Sequence, residues 1–149
     1  MNTKKITNIT IWANRLAAAL VAVLIFALPA LLQWYGDLLG YHPPQRDMNG
    51  IAIAYDLCAL VILAALWNVE KLLRNIRQQK IFVKENTKRL GNIRWCCAVV
   101  AVICLLAVFF VLPMLIFAII MAFLCLAISV LGCVMDAAVA IREENDLTI

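Results

Sequence analysis

Charge is scarce in this chain. Only 15% of its residues are Asp, Glu, Lys or Arg, against about a quarter in soluble domains. Histidine occurs once, proline four times and glycine five times in 149 residues. From 96 to 135 there are forty consecutive residues without a single charge.

These shortages exclude whole classes of chemistry. A lone His42 cannot anchor a metal cluster. The six cysteines (Cys58, Cys96, Cys97, Cys104, Cys125, Cys133) show no CxxC spacing. They lie in or beside apolar runs, where a thiol packs as a small hydrophobe, so neither a disulfide framework nor a zinc site is expected. Acylation of the adjacent Cys96–Cys97 pair is conceivable beside a basic segment, but the plain packing reading is preferred. GxSxG, HExxH and phosphate-cradling glycine loops are missing. The chain therefore reads as non-enzymatic, with no cofactor.

What is abundant is hydrocarbon: 66% of residues are hydrophobic and the mean hydropathy is +0.96. Apolar runs of about 18 or more residues are the signature of bilayer-spanning helices. Four are expected, at about 11–35, 51–69, 95–112 and 114–140, in one all-α, four-helix membrane bundle. The first run follows Lys4 and Lys5, but it is about twice the length of a signal-peptide core and ends in Gln33-Trp34-Tyr35. It is therefore expected to be retained. Arg15 lies one turn in, near enough to the interface to snorkel. Pro29 stands near the far end, where a kink costs least. Residues 36–50 form an expected external loop, because Pro43-Pro44 and Asn49-Gly50 are helix breakers; His42 is a solvated residue within it.

The second span does not stop at Trp67. Val69, Leu72, Leu73 and Ile76 continue at helical spacing, opposite Lys71, Arg74 and Arg77, so the helix is expected to reach about Gln78. A turn near 80–84 leads to a second basic helix, 85–94, which runs into span three at Trp95. The uncharged forty residues would make a helix about 60 Å long, twice the hydrocarbon thickness. The run must fold back, and Pro113 marks the hairpin. The remaining tail, IREENDLTI, is polar and acidic.

Eight of the thirteen basic residues fall between 70 and 94: Lys71, Arg74, Arg77, Lys80, Lys84, Lys88, Arg89 and Arg94. Basic loops stay cytoplasmic, which places this loop and both termini inside. Trp12, Trp67 and Trp95 then lie at the inner boundary and Trp34 at the outer one, as an aromatic belt requires. Much of the charge is explained by orientation and by anionic lipid head groups. Beyond that, the loop is the place to dock a partner. Direct nucleic-acid binding ranks low, since only Phe82 interleaves the charges before Trp95.

Two carboxylates fall inside expected spans. Asp56 is about six residues into span two and Asp136 about one turn from the inner end of span four. They lie near opposite faces of the bilayer and cannot work as an acid–base pair. The functional reading is a proton or cation relay; the plainer reading is snorkelling or a hydrogen bond to a neighbouring helix. Ala18-xxx-Ala22 and Ala118-xxx-Ala122 could let helices approach closely, but such patterns are common in alanine-rich spans. A homo-oligomer is compatible with the sequence.

Two short motifs carry a family resemblance. The loop Phe82-Val83-Lys84-Glu85-Asn86-Thr87-Lys88-Arg89-Leu90 and the ending Glu144-Asn145-Asp146-Leu147-Thr148-Ile149 resemble the bacterial membrane family known as domain of unknown function 2975. Its members have four spans, an F-x-x-E-N-x-x-R-L loop between spans two and three, and an ending close to E-N-D-L-T-I. The family often carries Ser or Thr where this chain has Val83 and Lys84, which leaves Asn86 or nothing to cap the second loop helix. The resemblance implies a multi-pass protein of the bacterial inner membrane. It also implies a cytoplasmic regulatory partner, because members are often encoded beside a small helix-turn-helix regulator.

The expected role is thus a regulatory or docking membrane protein. The alternatives are a small transporter or channel using Asp56, and a structural or lipid-associated protein. The acidic tail is expected to fold back onto the basic loop, with Glu144 or Asp146 near Arg89 or Arg94.

Overall fold

A computed structural model describes residues 3–40, 44–110 and 112–148; His42 and Ile149 lie outside the described residues, as does the side chain of Asp146. The chain forms four helices, α1 (Thr3–Leu39), α2 (Gln45–Arg77), α3 (Lys84–Ala107) and α4 (Met114–Leu147). All four are long and apolar enough to cross a membrane, and no strand occurs among the described residues. In hydrocarbon no water is present to satisfy backbone N–H and C=O groups, so each crossing must satisfy its own, which a helix does.

The helices outrun the expected spans. At 1.5 Å per residue α1, α2 and α4 each measure roughly 50 Å or more, beyond the ~30 Å of hydrocarbon. The polar start of the chain is already helical at Thr3. The stretch 36–50, expected to break any helix, is helical up to Leu39 and again from Gln45. Asn49-Gly50 therefore breaks nothing. A single helical glycine costs only about 1 kcal/mol, and here it makes room: a Cβ on Gly50 would stand 2.8 Å from the Phe110 ring. α2 ends at Arg77, close to the expected point. Residues 108–110 and 112–113 are turns at the expected fold-back, with Pro113 immediately before α4, where its missing N–H is no loss. The acidic tail is no loose end: helix α4 continues through it to Leu147.

Each helix packs on its sequence neighbours, α1 on α2, α2 on α3 and α3 on α4. The bundle is consequently open, with α1 at one edge and α4 at the other. Helix α3 is its axis. Its buried residues are Asn86, Leu90, Ile93, Cys97, Val100, Cys104 and Ala107, spaced alternately four and three apart. That 3.5-residue repeat keeps one seam facing the neighbours along the whole helix. Midway, Val100 and Cys104 pack with Ala118 of α4, against Cys58, Val61 and Ile62 of α2. The cysteines serve as small hydrophobes, and Ala118 lets α4 approach closely.

Helix α1 behaves differently. Its buried residues Thr7, Ile11 and Asn14 all lie in its first third, and its apolar 18-residue core is 0% buried. Asn14 Nδ2 donates to the Leu66 carbonyl oxygen at 3.1 Å, so this helix is fastened to α2 at one end.

Candidate functional site

The end of the bundle that carries Thr3, the 78–83 turn and Thr148 holds nearly all the charge. Its centre is the α2–α3 turn. Gln79 takes a left-handed conformation, φ 61°. The Gln79 N–H then donates to the Ile76 carbonyl oxygen at 2.9 Å, and the Lys80 N–H to that of Asn75 at 3.0 Å. This pair of bonds is the Schellman arrangement that closes a helix, with Gln where glycine is usual.

Asn86 locks the turn from the other side. It is 1% exposed, the largest fully buried side chain described. Its Nδ2 donates to the carbonyl oxygens of Lys80 at 2.7 Å and Ile81 at 2.8 Å. Its Oδ1 accepts from Asn75 Nδ2 at 2.8 Å. Asn86 was expected to cap α3 if anything did. It does not, and the residue before α3, Val83, makes no side-chain cap. Asn86 instead ties three strands of chain together: the end of α2, the turn and the start of α3.

The other loop-motif residues surround that tie. Arg89 pairs with Glu85 at 3.0 Å one turn back and reaches Asn68 Oδ1 of α2 at 3.4 Å. Leu90 is buried at the top of the α3 seam, while Phe82 is 43% exposed. Arg89 Nε and Thr87 Oγ1 are buried without a hydrogen-bond partner among the described residues. Glu85, Asn86, Arg89 and Leu90 are therefore builders of the turn.

The eight basic residues of 70–94 do not form one surface. Arg74 donates to Glu70 Oε1 at 2.6 Å, and Arg77 reaches Asn8 Oδ1 of α1 at 3.4 Å. Both face the α1–α2 cleft. Lys71 and Arg94 stand over the rings of Trp67 and Trp95, 5.3 and 6.0 Å from their centroids. Lys84 pairs with Glu143 of α4 at 2.9 Å. Lys80 and Lys88 are exposed, with no ion pair among the described residues. The expected meeting of tail and loop thus occurs through Glu143 and Lys84, because α4 runs straight beside α3. Glu144 does not reach Arg89 or Arg94; its carbonyl oxygen accepts from Thr148 Oγ1 at 2.7 Å. Asn145, Leu147 and Thr148 finish the last turn, and Leu147 is 88% exposed. An exposed pair such as Lys84–Glu143 is worth at most about 1 kcal/mol.

Asp56 and Asp136 both lie on exposed faces of their helices. Neither lines the basic cavity between α1 and α2 or the apolar one between α3 and α4.

Asn8, Asn14, Asn68, Asn75 and Asn86 each make a bond that joins two elements. The sequence pointed to the charges and, among these amides, to Asn86 alone. The readable signal was their position, within a few turns of this one end of the spans.

The fold and this end together define a multi-pass, four-helix membrane protein with an ordered basic end. The chain matches the model of the family described as "Protein of unknown function (DUF2975)" over residues 41–149 and belongs to that family. The match takes in α2, α3 and α4 and begins after α1. No curated protein and no solved structure matches it.

Proposed function

We propose that this protein is a non-enzymatic docking platform of the bacterial inner membrane. Its basic end faces the cytoplasm and binds a soluble regulatory protein, of which a small helix-turn-helix transcription regulator is the leading kind. The observation that carries this reading is the locked α2–α3 turn. A loop that served orientation alone needs positive charge but no fixed shape. Here a fully buried asparagine makes three hydrogen bonds to fix it, leaving Lys80 and Lys88 outward. A pre-formed basic surface suits an acidic patch on a partner, because less ordering entropy is lost on binding.

The orientation rests on the positive-inside rule, and the regulator on the family resemblance. Anionic lipids would share this surface at roughly 1 kcal/mol per basic residue. The test is site-specific photocrosslinking in native membranes from Gln79 and, as a control, from Leu38 at the opposite end. An adduct with a DNA-binding regulator from Gln79 only, lost in the Lys80→Glu/Lys88→Glu double variant, is the expected result. Absence of any such adduct, together with pH-dependent cation flux abolished by Asp56→Asn, would replace this reading by the transporter.

A further inference from the structure

Between the start of α1 and the end of α2 lies a cavity of about 390 Å³, lined by Asn8, Ile11, Trp12, Arg15, Arg74 and Arg77. Residues 8, 11, 12 and 15 share one face of α1, and 74 and 77 share one of α2, by helical spacing. Three guanidiniums therefore converge from two helices. One carboxylate answers them. Glu70 Oε1 accepts from Arg15 Nε at 3.1 Å, from Arg15 Nη2 at 2.9 Å and from Arg74 Nη2 at 2.6 Å. These bonds hold the Glu70 carboxyl below the usual carboxylate range. Glu70, beyond the apolar run of α2, stays ionised and fixes both arginines in place. Among the described residues Arg77 has only the long 3.4 Å contact with Asn8. Three positive charges against one negative leave the cleft with an excess of two.

We propose that this cleft binds a phosphate group, that of an anionic phospholipid of the surrounding membrane. Guanidinium is the side chain best matched to phosphate, because its planar fork makes two parallel charge-assisted bonds. Among the described residues, most of the N–H donors of the three arginines have no acceptor, and phosphate oxygens supply acceptors for them. The volume falls in the range of small-ligand sites, about 300–1,000 Å³. What favours a lipid over free phosphate is the rest of the lining. Ile11 is buried at the cleft, Trp12 is 71% exposed beside it, and Arg15 stands 5.9 Å from the Trp12 ring. Tryptophan with one wet and one apolar side belongs at the headgroup level. Next to it begins the unburied apolar run of α1, against which acyl chains can lie. The site is separate from the docking surface at Lys80 and Lys88 and does not depend on what docks there.

The test compares retained lipids by native mass spectrometry on the full-length protein, released from detergent with phosphatidylglycerol, phosphatidylcholine or inorganic phosphate. The wild type should retain phosphatidylglycerol over phosphatidylcholine, and millimolar inorganic phosphate should not displace it. Arg77→Gln should lower retention roughly fivefold, the effect of about 1 kcal/mol. Arg77 lies outside the Glu70 cluster, so this variant keeps the Arg15–Glu70–Arg74 contacts. Arg77→Lys, which keeps charge but not the fork, should recover part of the loss. Lys80→Gln should change little, although it removes the same charge. Equal losses in Arg77→Gln and Lys80→Gln would overturn the site in favour of diffuse attraction. Displacement by inorganic phosphate would overturn the lipid as occupant.

Discussion

Helices α1 and α3 have similar apolar cores but different lives in the fold. A third of the α3 window, 33%, is buried, against 0% for α1. Helix α3 has a neighbour on each side and an unbroken seam from Asn86 to Ala107; among the described residues α1 touches α2 alone and is held by polar contacts near one end. Lipid tails are as apolar as leucine, so hydrophobicity does not draw a membrane helix into a bundle. Close packing and hydrogen bonds do. The difference between α1 and α3 is one of position: α3 lies between α2 and α4, while α1 lies at the edge against α2, and greasiness has little to do with it. The family match, which starts at residue 41, covers α3 and the two helices that pack on it.

The strongest test of this contrast lies at the turn that α3 begins from. Asn86→Ala removes the partner of Asn75 and of the Lys80 and Ile81 carbonyls; a group left unpaired costs about 1–3 kcal/mol, and water reaches the exposed residues 80 and 81. Thermal unfolding in detergent should show a loss of about 2–3 kcal/mol, with new proteolytic cleavage at 78–83. Next comes a matched pair. Val100→Ala on the α3 seam should cost about 1 kcal/mol, while Val23→Ala, on an exposed stretch of α1, should stay within about 0.5 kcal/mol. Equal effects would break the contrast. Asn14→Leu should cost about 0.6 kcal/mol, a typical value for an interhelical bond in a membrane. It should free α1 while leaving α2–α4 intact, read as a broadened spin-label distance between α1 and α2. The smallest effect is a gain. Gln79→Gly relieves a left-handed residue and should stabilise the turn by up to about 1 kcal/mol, seen as a slightly raised Tm.

Most of the architecture was legible in the sequence. Four runs of membrane length, Pro113 at the fold-back and the charged continuation of α2 all follow from hydropathy and helical spacing. Loop length was misread because Gly50 and Asn49 were given the meaning they have in water. One helical glycine costs only about 1 kcal/mol, and Gly50 makes room for the Phe110 ring. The tail was expected to fold back onto the loop; Arg142 to Asn145 are exposed, but as part of α4, which continues to Leu147. The candidate site was half visible. Its charges stood out, but their partition into a cleft, a turn and an outward pair depends on which residues α1 and α4 bring near them. The α3 seam could not be seen at all, since its apolar span gives no contrast between faces.

The central claim is that the basic end has a fixed shape, and amide hydrogen exchange of the full-length protein in lipid nanodiscs tests it directly. The backbone amides of Gln79, Lys80 and Asn86 donate inside the turn. In the wild type they should exchange at least ~10-fold more slowly than in Asn86→Ala, the factor expected from a local loss of about 1.4 kcal/mol or more. Exchange at the same fast rate in both proteins would mean that the turn is open to water, and that the basic end is a charged tether without a surface of its own.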